Sequence, residues 1–321
     1  MIFKTGGKMN IVLIQILILI IGFIMLIKGA DFLIDGAVGL SRKLQIPEIV
    51  IGLTVIAFGT SMPELVVNGF AAFAKQGDVI YGNVIGSNIA NILLILGVTG
   101  LLCPIFMPLN TVKKEIPISF FAIIILWFIS KDGILSRIDA LILLGFFIGF
   151  LLYIVKLSKT GTEEIKTTNS LTSGKMFLFL IIGFVGLIYG GKLVVDSAVK
   201  IAMIFNVSKK LIALTIVSVG TSLPELAASI IAAKKGQTDI AVGNVIGSNI
   251  FNIFLIMGTS GMIFPVNYDF KFNFDIVVLL YATLLPIGMA YVGRRYFIDK
   301  YNALILIGSY VVYIVYSIYI S

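Results

Sequence analysis

Residues 59–65 read GTSMPEL and residues 220–226 read GTSLPEL. Two hydroxyls, a proline and a carboxylate thus recur in fixed order, each time inside an otherwise apolar run. An acid in the middle of a membrane span costs about 2.5–3.5 kcal/mol on insertion scales, so it faces protein or a watery path and has a partner. Of the sixteen acids in the chain, only Glu64 and Glu225 fall near the middle of an apolar span, and no lysine or arginine stands at comparable depth. Two such carboxylates brought face to face repel unless a cation or a proton lies between them. Pro63 has no N–H for the carbonyl of Gly59 and pushes Met62 away from helical angles, which predicts a helix break across residues 59–62 with carbonyls turned into the protein. Backbone that is irregular at membrane depth is tolerated where it is buried or lines a cavity. Carboxylate, carbonyl and hydroxyl oxygens are ligands for hard cations such as Ca2+ and Na+. Glu64, Thr60 and Ser61, with Glu225, Thr221 and Ser222, are therefore candidate metal ligands.

A second pair of segments, GNVIGSNIAN at 82–91 and GNVIGSNIFN at 243–252, opens the following span in each case. Gly82 and Gly86, like Gly243 and Gly247, form a G-x-x-x-G face for close helix approach. Ser87 and Asn91, like Ser248 and Asn252, lie four apart on one face and present hydroxyl and amide oxygens. If the glycines pack on the broken helix, the two motifs line one oxygen-rich chamber.

Such a chamber needs elements that hold it at membrane depth. The chain has 321 residues, 59% of them hydrophobic and 12% charged, with a mean hydropathy of +1.09. A soluble domain carries about 25% charged residues, so this is an integral membrane protein. Apolar runs predict an all-α protein of ten transmembrane helices, near residues 11–40, 47–74, 79–104, 115–130, 138–156, 176–203, 210–233, 240–265, 275–292 and 301–320. Lys4 and Lys8 ahead of the first run resemble a signal peptide, but the length of the run and its mid-chain equivalent mark it as a first span.

Shifting the sequence by 161 residues aligns Asp35 with Asp196, Glu64 with Glu225, and residues 82–97 with 243–258, the last at 13 of 16 positions. The chain thus reads as a first five-helix repeat (1–156), a polar linker (157–175) and a second five-helix repeat (176–321). An odd number of spans per repeat inverts the second relative to the first, which is an architecture of secondary transporters. With both termini outside, inner segments carry thirteen Lys and Arg and outer segments nine, so both ends are expected outside a cell membrane by the positive-inside rule.

The single Cys103 excludes an internal disulfide, and the absence of histidine removes the usual proton shuttle and the commonest transition-metal ligand. Redox and zinc chemistry are not expected, and nor is a cofactor. The net charge of +8 is scattered through short loops, so nucleic acid is not expected as a partner. An intramembrane protease lacks its catalytic groups here. Asp31 and Asp35 sit at the polar end of the first helix, where hydration or pairing with Lys28 accounts for them, and Asp196 with Lys192 repeats that arrangement.

These doubled motifs make the chain similar to the sodium/calcium exchanger branch of the cation/calcium antiporter superfamily, over essentially its whole length. The short linker is similar to that of prokaryotic members. The resemblance implies that Glu64 and Glu225 chelate Ca2+ together with the backbone carbonyls of Thr60 and Thr221. It also implies flanking Na+ sites that use the same glutamates with Ser61, Ser87, Ser222, Ser248 and the carbonyls of Ala57 and Ser218, with Asn91 and Asn252 at the centre. Some members carry aspartate where Asn252 stands, and potassium-dependent relatives have acids there, so Asn252 argues against K+ transport. The implied activity is Na+/Ca2+ antiport by alternating access, with Ca2+, Na+ and the lipid bilayer as partners and a monomer as the working unit. Helices 1 and 6 are the pair that the resemblance implies to slide. A Ca2+/H+ antiporter is the alternative, and a cation channel a further one.

Overall fold

A backbone withdrawn from water must satisfy its N–H and C=O groups within its own segment, and the long apolar stretches of this chain do so as helices. The computed structural model describes residues 2–159, 172–205, 218–292 and 294–320. The first helix, α1 (Ile2–Leu44), is followed by α2 (Glu48–Thr60) and α3 (Met62–Phe73), which meet at a bend of 47°. Next come α4 (Gly77–Leu102), α5 (Ile116–Ile129) and α6 (Arg137–Ser158). The second half runs α7 (Ser173–Ile204), α8 (Leu223–Lys234), α9 (Thr238–Ile263), α10 (Asn273–Tyr291) and α11 (Lys300–Ile320).

Among the described residues seven helices are long and apolar enough to cross a membrane, or eight when the bent pair α2–α3 is one span. Two of the ten expected spans fall outside this count. The fourth, near 115–130, is α5, whose 14 residues reach about 21 Å at 1.5 Å per residue and are lengthened by a wide turn over Thr111–Glu115. The seventh, near 210–233, begins outside the described residues and is represented by α8. Most of the linker, 160–171, also lies outside them.

Two helices form the centre. The spanning window of α9 is 94% buried and that of α4 is 78% buried, against 17% for α1 and 22% for α6 and α11. The G-x-x-x-G face of α9 seats on the broken helix as expected. A Cβ added at Gly247 would lie 2.8 Å from the Cβ of Ala57 and 2.9 Å from the Leu53 Cα, so only glycine allows α9 to approach α2 this closely.

Four two-residue strands tie the halves together. β1 (Ile105–Phe106) pairs antiparallel with β4 (Phe297–Ile298), and β2 (Ile134–Leu135) pairs with β3 (Val266–Asn267). β1 precedes α5 and β2 follows it, so the two clasps sit at opposite ends of that helix. On the periphery α1 and α7 run antiparallel in close contact. A Cβ at Gly29 would lie 2.8 Å from the Leu187 backbone nitrogen and 3.0 Å from the Gly183 carbonyl oxygen, and one at Gly22 would lie 3.0 Å from the Gly190 carbonyl oxygen.

The acids of α1 depart from expectation. Lys235, just past the end of α8, reaches Asp35 at 2.8 Å and Asp31 at 3.2 Å, while Lys28 stands 3.9 Å from Asp31. Their main partner comes from the other half of the chain, because the C-terminal end of α8 abuts α1, a proximity that no local spacing encodes.

Candidate functional site

The break in the first GTS motif centres on Ser61, with φ −83 and ψ 5, and α3 starts at Met62 with Pro63 in its first turn. Ser222 adopts φ −88 and ψ 5 ahead of α8, so the second motif breaks in the same way. Pro63 and Pro224 leave the carbonyls of Gly59 and Gly220 without their helical donors. The carbonyl of Ala57 keeps its helical donor, the Ser61 N–H at 3.0 Å, and has a second lone pair to offer. Ser218 begins the short turn Ser218–Gly220, and its side chain lies outside the described residues.

At the start of α3 and α8, Glu64 and Glu225 are each 1% exposed, and the Glu64 carboxylate lies within electrostatic reach of Glu225. The motifs reach across the halves. The Ser61 hydroxyl donates to Glu225 Oε1 at 3.2 Å, and the Thr60 hydroxyl donates to Asn244 Oδ1 at 3.0 Å and lies 3.5 Å from the Ser248 hydroxyl. The Asn244 amide in turn donates to the Glu225 backbone carbonyl at 3.2 Å and to Ser229 at 3.0 Å. The mirror set is open. The Ser222 hydroxyl and the Asn83 amide nitrogen have no partner, and the Thr221 hydroxyl faces Glu64 without closing a hydrogen bond.

Asn91 and Asn252 each sit in a π-turn, over Ala90–Ile95 in α4 and Asn252–Ile256 in α9. Such widened turns concentrate at functional sites. The π-turn of α9 packs against α3, the helix that carries Glu64, and that of α4 packs against α8, which carries Glu225. The Asn91 amide donates to Asn249 Oδ1 at 2.9 Å, and the Asn252 amide donates to Asn88 Oδ1 at 2.9 Å and to the Ser87 hydroxyl at 3.0 Å.

The site therefore gathers oxygen. Buried atoms without a partner include both carboxylate oxygens of Glu64, Oε2 of Glu225, Oδ1 of Asn91 and Asn252, and the hydroxyls of Thr221 and Ser222. A buried acceptor left bare costs about 1–3 kcal/mol, more when charged. A cation that shares these oxygens removes that cost, so the donor set fits Ca2+ or Na+ as cargo. Among the described residues no three His, Cys, Asp or Glu side chains gather in one place, so formal charge at the site rests on the glutamate pair. Of the sequence-derived side chains, Thr60, Ser61, Ser248, Thr221 and the two glutamates are joined by hydrogen bonds, close approach or charge, while Ser87, Asn91 and Asn252 belong to a second network on α4 and α9. Sequence reasoning missed Asn88, Asn244 and Asn249, which lie in the same two segments and are fully buried. Their signal was present, since asparagine is costly inside an apolar span unless it has partners.

Comparison with known proteins places this geometry among relatives. The family profile "Sodium/calcium exchanger protein" matches residues 14–156 and 175–319. The putative antiporter CaxA of Alkalimonas amylolytica is 36% identical, over 94% of this chain and 98% of its own length. The sodium/calcium exchanger MaX1 of Methanosarcina acetivorans is 29% identical, over 96% and 99%. Among solved structures, the sodium-calcium exchanger NCX_Mj soaked with Na+ and Sr2+ superposes with a TM-score of 0.83 at 33% identity, covering 95% of this chain and 99% of that one.

Proposed function

The chain belongs to the sodium/calcium exchanger protein family, and from that premise we propose that it carries Ca2+ and Na+ in opposite directions across a cell membrane through one shared site. Cation/Ca2+ antiport follows from the family and from the likeness to NCX_Mj; coupling to Na+ is the finer reading. The observation that carries it is the pair of buried glutamates set among hydroxyl and amide oxygens, with no lysine or arginine buried among the described residues to neutralise them.

Two carboxylates balance one Ca2+ or two Na+. Both ions need overlapping oxygens, so occupancy by one excludes the other. Glu64 and Glu225 chelate Ca2+ with the carbonyls of Thr60 and Thr221. Ser61, Ser87, Ser222 and Ser248 extend the carboxylates into flanking Na+ sites, to which the carbonyls of Ala57 and Ser218 contribute. Asn91 and Asn252 supply neutral oxygens at the centre. Moving the bare dianion through a closed site is unfavourable, which makes the protein an exchanger rather than a leak. Binding of more than two Na+ would leave net positive charge and make turnover voltage-sensitive, by about 2.3 kcal/mol per charge per 100 mV.

Alternating access would come from ten spans in two inverted repeats, 1–156 and 176–321, with the linker 157–175 and both termini placed as the charge count indicates. The strand clasps and the polar contacts across the halves support that arrangement. The test is direct. Vesicles loaded with Na+ and diluted into Na+-free medium should accumulate labelled Ca2+, and Glu64→Gln should abolish uptake. Uptake driven equally by a pH gradient without Na+ would replace Na+ coupling by H+, and retained uptake in Glu64→Gln would remove the glutamates from the site.

A further inference from the structure

Asn88 on α4 and Asn249 on α9 are both 0% exposed, and they face each other across the centre of the protein. The Asn88 amide donates to the Asn249 backbone carbonyl at 3.2 Å, and the Asn249 amide donates to the Asn88 backbone carbonyl at 3.2 Å. With both nitrogens committed, each side-chain oxygen is left to accept. The Asn88 oxygen takes the amide of Asn252 at 2.9 Å, and the Asn249 oxygen takes the amide of Asn91 at 2.9 Å. The four asparagines form a chain, Asn91–Asn249–Asn88–Asn252, in which every amide nitrogen donates, and two oxygens are left over at its ends, Oδ1 of Asn91 and Oδ1 of Asn252, both buried and without a partner.

This matters because an asparagine has two ends of nearly equal shape and opposite polarity. Rotated by half a turn, Asn91 or Asn252 would present an N–H2 group to a cation and repel it. We propose that Asn88 and Asn249 are positioning residues: each holds the asparagine of the opposite repeat by its nitrogen so that only its oxygen faces the ion. The proposal rests on the shared cation site and adds residues that touch no ion themselves. The pairing is crossed, Asn88 orienting Asn252 and Asn249 orienting Asn91.

An aspartate has oxygen at both ends, so it needs no orienting. That makes the test specific. In the purified full-length protein, Ca2+ binding is measured by calorimetry for Asn88→Ala and Asn249→Ala, alone and with Asn252→Asp or Asn91→Asp. Each alanine variant should lose affinity by about tenfold or more. Asn252→Asp should restore Asn88→Ala to within about threefold of Asn252→Asp alone, and Asn91→Asp should do the same for Asn249→Ala. The exchanged combinations should fail to restore. Asn88→Leu, which fills more of the space without hydrogen bonding, should behave as Asn88→Ala does and covers the case in which the smaller side chain prevents folding. Unchanged affinity in both alanine variants, or rescue by either aspartate indifferently, would overturn the positioning role while leaving the cation site in place. Wild-type protein that binds no Ca2+ would take down both.

Discussion

Ser61 and Ser222 occupy equivalent places, yet only Ser61 has found the opposite glutamate. Its hydroxyl donates to Glu225 Oε1 at 3.2 Å, whereas that of Ser222 has no partner. Both are assigned to Na+, so Ser61→Ala and Ser222→Ala should each raise the Na+ concentration for half-maximal Ca2+ release by about fivefold to tenfold, the loss of one charge-assisted contact. The Ca2+ KM should change far less, because the carboxylates are the proposed Ca2+ ligands. Flux titrations in vesicles check the contrast. At this scale the sequence was informative where residues repeat. Glu64, Glu225 and the hydroxyls beside them declared themselves through their cost in an apolar span. Asn88 and Asn249 did not, because their meaning is a hydrogen bond between residues 161 positions apart, and neighbouring Ser87 and Asn91 already accounted for the polar face.

The broken helix is the element that turns motif into site. Restoring an N–H at residue 63 would give the Gly59 carbonyl its donor and favour a straight α2–α3 in place of the 47° bend. Pro63→Ala is expected to raise the Tm in detergent and to lower Ca2+ uptake by at least about tenfold, since the oxygens around Glu64 would leave their positions. A thermal melt and a flux assay on the same preparation check both. The break was legible because proline acts on its own turn. The π-turns at Ala90–Ile95 and Asn252–Ile256 were not, since nothing in NILLILG or NIFLIMG favours five-residue spacing locally. Tertiary contacts of the asparagines with the opposite helix accompany the widened turn.

For the whole molecule, the spacing of motifs announced two related halves, and the charge count gave an orientation that labelling can check. With Cys103 replaced by serine, a cysteine at Lys131, beside the β2–β3 clasp, should react with an impermeant maleimide added to intact cells. One at Lys114, between the β1–β4 clasp and α5, should react only after lysis. The reverse pattern would invert the topology. How the halves lock together was beyond the sequence, because strands of two residues carry too little pattern to be recognised as pairs. The peripheral seam of α1 and α7 carries a consequence of its own. Glycines draw the two rods together, while 17% of the α1 window and 33% of the α7 window is enclosed by protein. Whatever travel this duplex makes during turnover is therefore made largely through acyl chains, so the viscosity and thickness of the surrounding bilayer become brakes on the transporter, and its speed should follow lipid composition even when both ion gradients are held constant.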